Sequence, residues 1–256
     1  MSRVLITGSS DGLGLMAAQL LVEQGHRVTL HARNPARAED ARRALPQAEA
    51  VVVGDLSTIE AMRAVAEQAN ARGRYDAIIH NAGIGPRQLH RVHTADALSQ
   101  LFAVNVLAPY LLTALIQPPA RLIYLSSGLH RRGTAELADL QWSARRWDGM
   151  QAYSDSKLLV VVLAFALARR WPAVHSNALE PGWVATRMGG PEAPDDLSLG
   201  AVTQAWLAAG EDPQTAVSGQ YFFHQKLRWV HPEARSIELQ DGLLEYCAGL
   251  TGVPLP

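Results

Sequence analysis

The chain has 256 residues, 48% of them hydrophobic, and a formal net charge of -1. That length admits one large α/β domain or two small ones, the apolar fraction excludes disorder, and the near-neutral charge gives no global attraction to nucleic acid or anionic membranes. The single cysteine, Cys247, excludes an internal disulfide and fits a reducing compartment.

The first strand, "RVLIT" (3–7), begins almost at once, so no signal peptide is expected and a cytoplasmic location follows as the expectation. It runs into "TGSSDGLG", with Gly8, Ser9, Ser10, Gly12, Leu13 and Gly14, ahead of a helix pattern near 13–24. Glycines permit positive φ and let the backbone approach a pyrophosphate, while the following helix aims its first amides at that charge. An ordinary tight βα turn is the plain alternative, and the spacing G-x-x-x-G-x-G differs from G-x-G-x-x-G. Its place after the first strand of a βαβ unit favours dinucleotide binding.

The second strand, "RVTLHA" (27–32), ends on Ala32 with Arg33 next, and a helix pattern follows near 36–45. The third, "AVVVG" (50–54), leads to Asp55 and Leu56 and a helix near 57–71. The fourth, "DAIIH" (76–80), leads to "NAG", Asn81, Ala82 and Gly83. A helix near 95–116 carries Asn105 in "FAVNVLAPYLL". The fifth strand, "RLIYLS" (121–126), ends in Ser126 and Ser127, and a helix near 152–170 opens on "YSDSK". The sixth, "HSNALE" (175–180), leads to "PGWVAT" with Pro181, Gly182, Val184 and Thr186. These strands are continuous apolar runs, as in sheets covered on both faces, and they alternate with helices. The expectation is one α/β domain over residues 1–256, a Rossmann-like doubly wound parallel sheet flanked by helices. The Pro/Gly-rich "EPGWVATRMGGPEAPDD" reads as a loop within it. Polar or small groups recur at every strand's carboxyl end, the binding edge of such sheets.

Tyr153 and Lys157 are four apart and share a helix face, a pair that alone proves little. Together, however, "TGSSDGLG", "NAG", Asn105, "YLSSG", "YSDSK" and "PGWVAT" resemble, in order, the motifs of the short-chain dehydrogenase/reductase family over roughly residues 3–225. The resemblance implies an NADP(H)-dependent oxidoreductase interconverting a carbonyl and an alcohol. It implies Asn105, Ser127, Tyr153 and Lys157 as the catalytic set. Tyr153 would be the proton donor, and Lys157 would lower its pKa and hold the nicotinamide ribose. Ser127 would bond the substrate oxygen, and Asn105 would hold a relay water. Gly8, Ser9, Ser10, Gly12, Leu13, Gly14, Arg33, Asp55, Leu56, Asn81, Ala82, Gly83, Tyr153, Lys157, Pro181, Gly182, Val184 and Thr186 are the implied cofactor contacts. No acid stands at Ala32 to bind ribose hydroxyls, and Arg33 can pair with a 2′-phosphate, so NADP(H) is expected. A solvated arginine at a strand end is the alternative. A second class is a nucleotide-sensing protein of this fold without turnover.

Ser127 and Tyr153 are 26 positions apart (153 − 127), a longer separation than common family members have. The intervening "LHRRGTAELADLQWSARRWDGMQA" resembles the insertion of the retinol-dehydrogenase and protochlorophyllide-reductase-like subgroup. It is expected to wall the substrate pocket with Trp142 and Trp147, opposite Trp183 and Met188, for a bulky apolar ketone or aldehyde. The alternative is that both tryptophans only anchor the insertion. "LLVVVLAFALA" is apolar nearly all round and too short to span a bilayer, so both faces should be buried, one on the sheet. The other face can meet a partner subunit, making a homo-oligomer, or the chain's own C-terminal segment. His90 and His93 lack further ligands for a metal, His80 reads as a satisfied core or rim residue, and "RRALPQ" and "ARRW" read as solvated faces.

Overall fold

The computed structural model describes all 256 residues, Met1–Pro256. Its strands are β1 (Arg3–Ile6), β2 (Arg27–Ala32), β3 (Ala50–Val53), β4 (Ala77–His80), β5 (Arg121–Leu125), β6 (His175–Glu180), β7 (Tyr221–Phe223) and β8 (Lys226–Leu227). They form one sheet in the order β3-β2-β1-β4-β5-β6-β7-β8. All pairs are parallel except β7 with β8. The six strands read from the sequence are present, and β7 and β8 extend the sheet beyond them. Both β1 neighbours, β2 and β4, are reached by crossovers in opposite directions. The carboxyl ends of β1 and β4 therefore flank a crevice, where ligands of doubly wound sheets bind.

Side chains alternate between two cores because a strand has period two. Leu5, Ile78, Leu122, Tyr124 and Ala178 point into one. Val4, Ile6, Ala77, Ile79, Ile123, Leu125 and Leu179 point into the other. The second core is closed by α1 (Gly12–Glu23), α2 (Pro35–Ala44) and a late helix of residues Val202–Ala209. The first is closed by α3 (Ile59–Asn70) and by the helix that carries Asn105. That helix begins at α4 (Gln100–Phe102), passes through a π-helical turn (Ala103–Leu107) and continues as α5 (Ala108–Leu115).

The long helix α6 (Gly149–Arg170) starts where Asp148 Oδ1 accepts the amides of Met150 (2.9 Å) and Gln151 (3.0 Å). That cap sets the helical phase of Tyr153 and Lys157. By length and composition α6 could cross a bilayer, yet 89% of its apolar window is buried inside the fold. One of its faces lies on the sheet. The other is covered by α8 (Ile237–Thr251), through Leu239, Leu243, Leu244 and Cys247, with α7 (Val202–Ala209) preceding it in the chain. Of the two partners open in the sequence, the chain's own C-terminal segment is the one in place.

Candidate active site

The turn after β1 is built for close backbone approach. Gly8 has φ 63, and a Cβ there would lie 2.8 Å from Ala82 Cα. A Cβ on Gly14 would lie 2.5 Å from Asn81 Nδ2 and 2.6 Å from the Gly8 oxygen. Asn81 Nδ2 donates to the Thr7 and Gly8 carbonyls, both at 2.9 Å, and joins the ends of β1 and β4. Ala82 N donates to Thr7 Oγ1 at 3.0 Å. Ser9 Oγ bridges Ile6 O (2.8 Å) and His31 N (2.9 Å).

His31 completes this turn, and the sequence reading passed over it. Its Nδ1 accepts Gly8 N at 2.9 Å, and its Nε2 donates to Gly54 O at 2.9 Å. Burial pushes the imidazole down to about 4, so it stays neutral with one donor and one acceptor, as those two bonds require. Leu56 is buried below, and Asp55 is exposed, with Oδ1 accepting Ser57 N at 3.0 Å.

Arg33 is exposed and engages no carboxylate. A second guanidinium lies nearby, that of Arg37 in the first turn of α2. Its Nη2 is 2.6 Å from Asp11 Oδ2 and 3.4 Å from Ser10 Oγ. The Asn34 cap, which accepts Arg37 N at 2.9 Å, and Pro35 at the helix start aim this turn at the glycine loop. That Asn-Pro start was the available signal for Arg37.

Across the crevice, Tyr153 and Lys157 lie one turn apart on α6, both buried, with Lys157 Nζ 5.8 Å from the tyrosine ring centroid. Lys157 Nζ donates to Leu125 O at 2.9 Å, and burial lowers its pKa to about 8. Burial also raises the Tyr153 pKa, and Ser127 offsets part of that rise. This differs from the expectation that Lys157 lowers it. At 6% exposure, desolvation of the phenolate dominates, and the ammonium is committed to a carbonyl.

Asn105 sits in the π-helical turn. Its Nδ2 donates to Ile84 O (3.1 Å) and Ser156 Oγ (3.0 Å), and its Oδ1 accepts Ile84 N (2.9 Å). A Cβ on Gly83 would be 3.4 Å from both Asn105 Oδ1 and Lys157 Nζ, so these groups converge there. Ser127 caps a short turn (Gly128–Arg132), with its Oγ accepting Leu129 N at 3.2 Å. Behind it His130 is fully buried and donates from Nδ1 to Ser127 O at 2.7 Å, with its ring 4.5 Å from that of Tyr221. Arg131 pairs with Glu180 at 2.5 Å across the same corner.

The segment after β6 closes over the site. Gly182, at φ 88, turns the chain, and Thr186 Oγ1 accepts Gly189 N at 3.2 Å. Val184 is buried and bridges to Asp195, while Pro181 borders the turn. Met188 Sδ stands 4.0 Å from the Tyr153 hydroxyl. Trp142 is 7% exposed and packs in a small cluster with Leu101, Ala152 and Tyr153. Trp147 is half-buried beside it and donates to Gln88 O at 2.9 Å. Trp142 therefore anchors the insertion, and Trp147 is the more accessible of the two. His90 and His93 are exposed and no metal-ligand cluster exists, while His80 bonds Thr113 Oγ1 at 3.0 Å in the core.

Known proteins fit this arrangement. The short chain dehydrogenase family model matches residues 2–196. An uncharacterized oxidoreductase of Emericella nidulans is 45% identical, covering 100% of this chain and 99% of its own. Retinol dehydrogenase 13 of Homo sapiens is 29% identical, covering 99% and 85%. The crystal structure of an uncharacterized protein from Mycobacterium Paratuberculosis superposes with a TM-score of 0.84 at 26% identity, covering 100% of this chain and 95% of its own.

Proposed function

Because the chain belongs to the short-chain dehydrogenase family, with a retinol-dehydrogenase-like insertion, we propose that this oxidoreductase reduces a bulky, largely apolar ketone or aldehyde to an alcohol, reversibly, using NADPH. The observation that carries the reading is the convergence of Tyr153, Lys157, Asn105 and Ser127 beside a glycine turn with no room for a Cβ at Gly8 or Gly14. That turn fits a dinucleotide, because Gly8 and Gly14 leave no room for a Cβ beside Ala82 and Asn81 and the first amides of α1 open beside it. Ser10, Arg33 and Arg37 suit a 2′-phosphate, and no carboxylate stands at Ala32. Leu56, Ala82 and Gly83 line the adjoining crevice, and Pro181, Gly182, Val184 and Thr186 border the nicotinamide end.

NADPH, when bound, supplies the hydride. The remaining work falls to the protein. Tyr153 keeps its proton near neutral pH because burial disfavours the phenolate, so it can donate at its Oη to a developing alkoxide. Lys157, with a pKa of about 8, is mostly charged at pH 7 and keeps an ammonium one helical turn from the tyrosine, donating to Leu125 O. Ser127 Oγ orients the carbonyl oxygen, and Asn105 carries the polar chain from Ile84 toward Lys157. Met188 beside the Tyr153 hydroxyl and the aromatic insertion favour an apolar substrate.

The test is NADPH oxidation against a panel of ketones, aldehydes and quinones. Turnover that prefers large apolar carbonyls and NADPH over NADH is expected. Tight NADPH binding with no turnover of any carbonyl would instead favour a nucleotide-sensing protein.

A further inference from the structure

Among the contacts of the insertion between Ser127 and Tyr153 with the catalytic helix, the most polar is at the carboxylate of Asp155, which is 4% exposed. Asp155 Oδ1 accepts Thr134 N (2.8 Å) and Gln151 Nε2 (2.8 Å). Oδ2 accepts Trp142 Nε1 at 3.1 Å, with Arg145 Nη1 at 3.5 Å. Three of these four donors lie ahead of α6, and Gln151 lies in its first turn. Gly133 brings it close, since a Cβ there would lie 2.7 Å from Ser154 O and 2.8 Å from Leu158 Cβ.

Asp155 is two residues beyond Tyr153, so the two side chains leave α6 on different sides. What links them is Trp142. Its indole N–H is held by Asp155, and its ring packs in the cluster that contains Tyr153, Leu101 and Ala152. The ring also carries the Arg145 guanidinium, 4.0 Å from its centroid, and Trp147 meets it edge-on at 5.9 Å. Trp142 has φ 57, which is unfavourable for a bulky side chain and persists only when its surroundings over-determine it. Asp139 does so from below. Its oxygens accept the amides of Ser143 (2.5 Å), Ala144 (3.2 Å) and Arg145 (3.2 Å) and fix the turn.

We propose that Asp155 is a positioning residue that holds the Trp142 ring against Tyr153 and so fixes the tyrosine hydroxyl for proton transfer. The insertion is thus a brace for the proton donor as well as a neighbour of the substrate. This rests on the reading of Tyr153 as the donor. The brace needs both of its links: the N–H bond sets where the indole lies, and the ring contact passes that position on.

The test compares Asp155→Asn and Trp142→Phe with the wild type in the full chain. In Asp155→Asn an amide N–H faces donors that a carboxylate accepted. Trp142→Phe keeps an aromatic ring but deletes the N–H and trims the bicyclic indole to a single ring. With a carbonyl that the wild type reduces, kcat should fall about ten-fold or more while KM for NADPH stays within about two-fold. The primary isotope effect with deuterated NADPH should rise, because chemistry becomes the slow step. Independently, ultraviolet difference absorbance against Tyr153→Phe reads the phenol titration, which should move to lower pH as water reaches a loosened ring. That titration needs no turnover, so a wild type inactive on every carbonyl counts against the proposed function and leaves this test standing. Unchanged kcat, isotope effect and titration in folded Asp155→Asn overturn the proposal, even if the melting temperature drops. If Asp155→Asn does not fold, Trp142→Phe decides by the same readouts.

Discussion

Arg37 Nη2 lies 2.6 Å from Asp11 Oδ2, so a carboxylate in the glycine turn already occupies a guanidinium at the edge of the nucleotide crevice. A 2′-phosphate reaching Ser10 has to compete with Asp11 for Arg37, whereas it meets Arg33 without a competitor. Arg33→Ala should therefore weaken NADPH by about 1.5–3 kcal/mol and leave NADH nearly unchanged. Asp11→Asn should tighten NADPH about two- to five-fold, since exposed ion pairs are worth up to about 1 kcal/mol. Fluorescence titration with both cofactors checks this, and equal wild-type efficiency with NADH and NADPH would defeat it.

Tyr153→Phe should abolish turnover and spare NADPH binding, because the ring still packs and only the proton is lost. Lys157→Ala should impair both. The pH profile carries a sign. Lys157 loses its proton as pH rises through about 8, so the reduction rate should decline across that region. A flat rate from pH 7 to pH 10, or an active Tyr153→Phe, would refute the assignment.

Met188 Sδ stands 4.0 Å from the Tyr153 hydroxyl, the group proposed to donate the proton. A Cβ on Gly85 would meet Met188 Cγ at 2.8 Å, so the loop after β4 seats the thioether. Met188→Ala should raise kcat/KM for the bulkiest carbonyls relative to small ones. Trp147→Ala should shift the same ranking, with NADPH affinity unaltered. A uniform change across substrates would make both residues structural only.

Three buried imidazoles make the fold acid-sensitive. Burial lowers His31 to about 4, His80 to about 3 and His130 to about 4. The unfolded chain binds protons at these groups below about 6.5, where the folded chain refuses them. Stability is therefore complete above pH 6.5 and is lost as pH falls toward 4. Urea unfolding between pH 7 and pH 5 should show this slope, and His80→Gln should reduce it by about one proton. An unchanged slope in that variant would contradict the account.

The alternation of apolar runs and helices made the six-stranded frame legible, because central parallel strands are buried on both faces and read as unbroken apolar stretches. Tyr221–Phe223 and Lys226–Leu227 were not legible as strands. Three apolar residues fix no period, and both residues of β8 are exposed. Motif order brought Tyr153, Lys157, Asn105 and Ser127 together on the page, as the fold does in space. Most supporting groups stayed hidden for a physical reason: His31, His130 and Asp155 matter through contacts with residues far along the chain, whereas Arg37 was signalled by its Asn-Pro helix start. The tyrosine's raised pKa was equally hidden, since burial depends on the segments folded over it and not on its own helix.

The π-helical turn at Ala103–Leu107 sets the angular phase of this helix. Such a turn accommodates one residue more than an α-turn, and each residue of an α-helix advances about 100° around its axis. Shortening the chain by one residue between Gln100 and Asn105 would restore a regular α-helix and preserve the seating of α5. It would also swing the amide that faces Gly83 and Ile84 through roughly a quarter turn, away from Lys157. Asn105 thus reaches the crevice because the helix carries a surplus residue, and its aim is a matter of gearing, fixed by chain length rather than by any single contact.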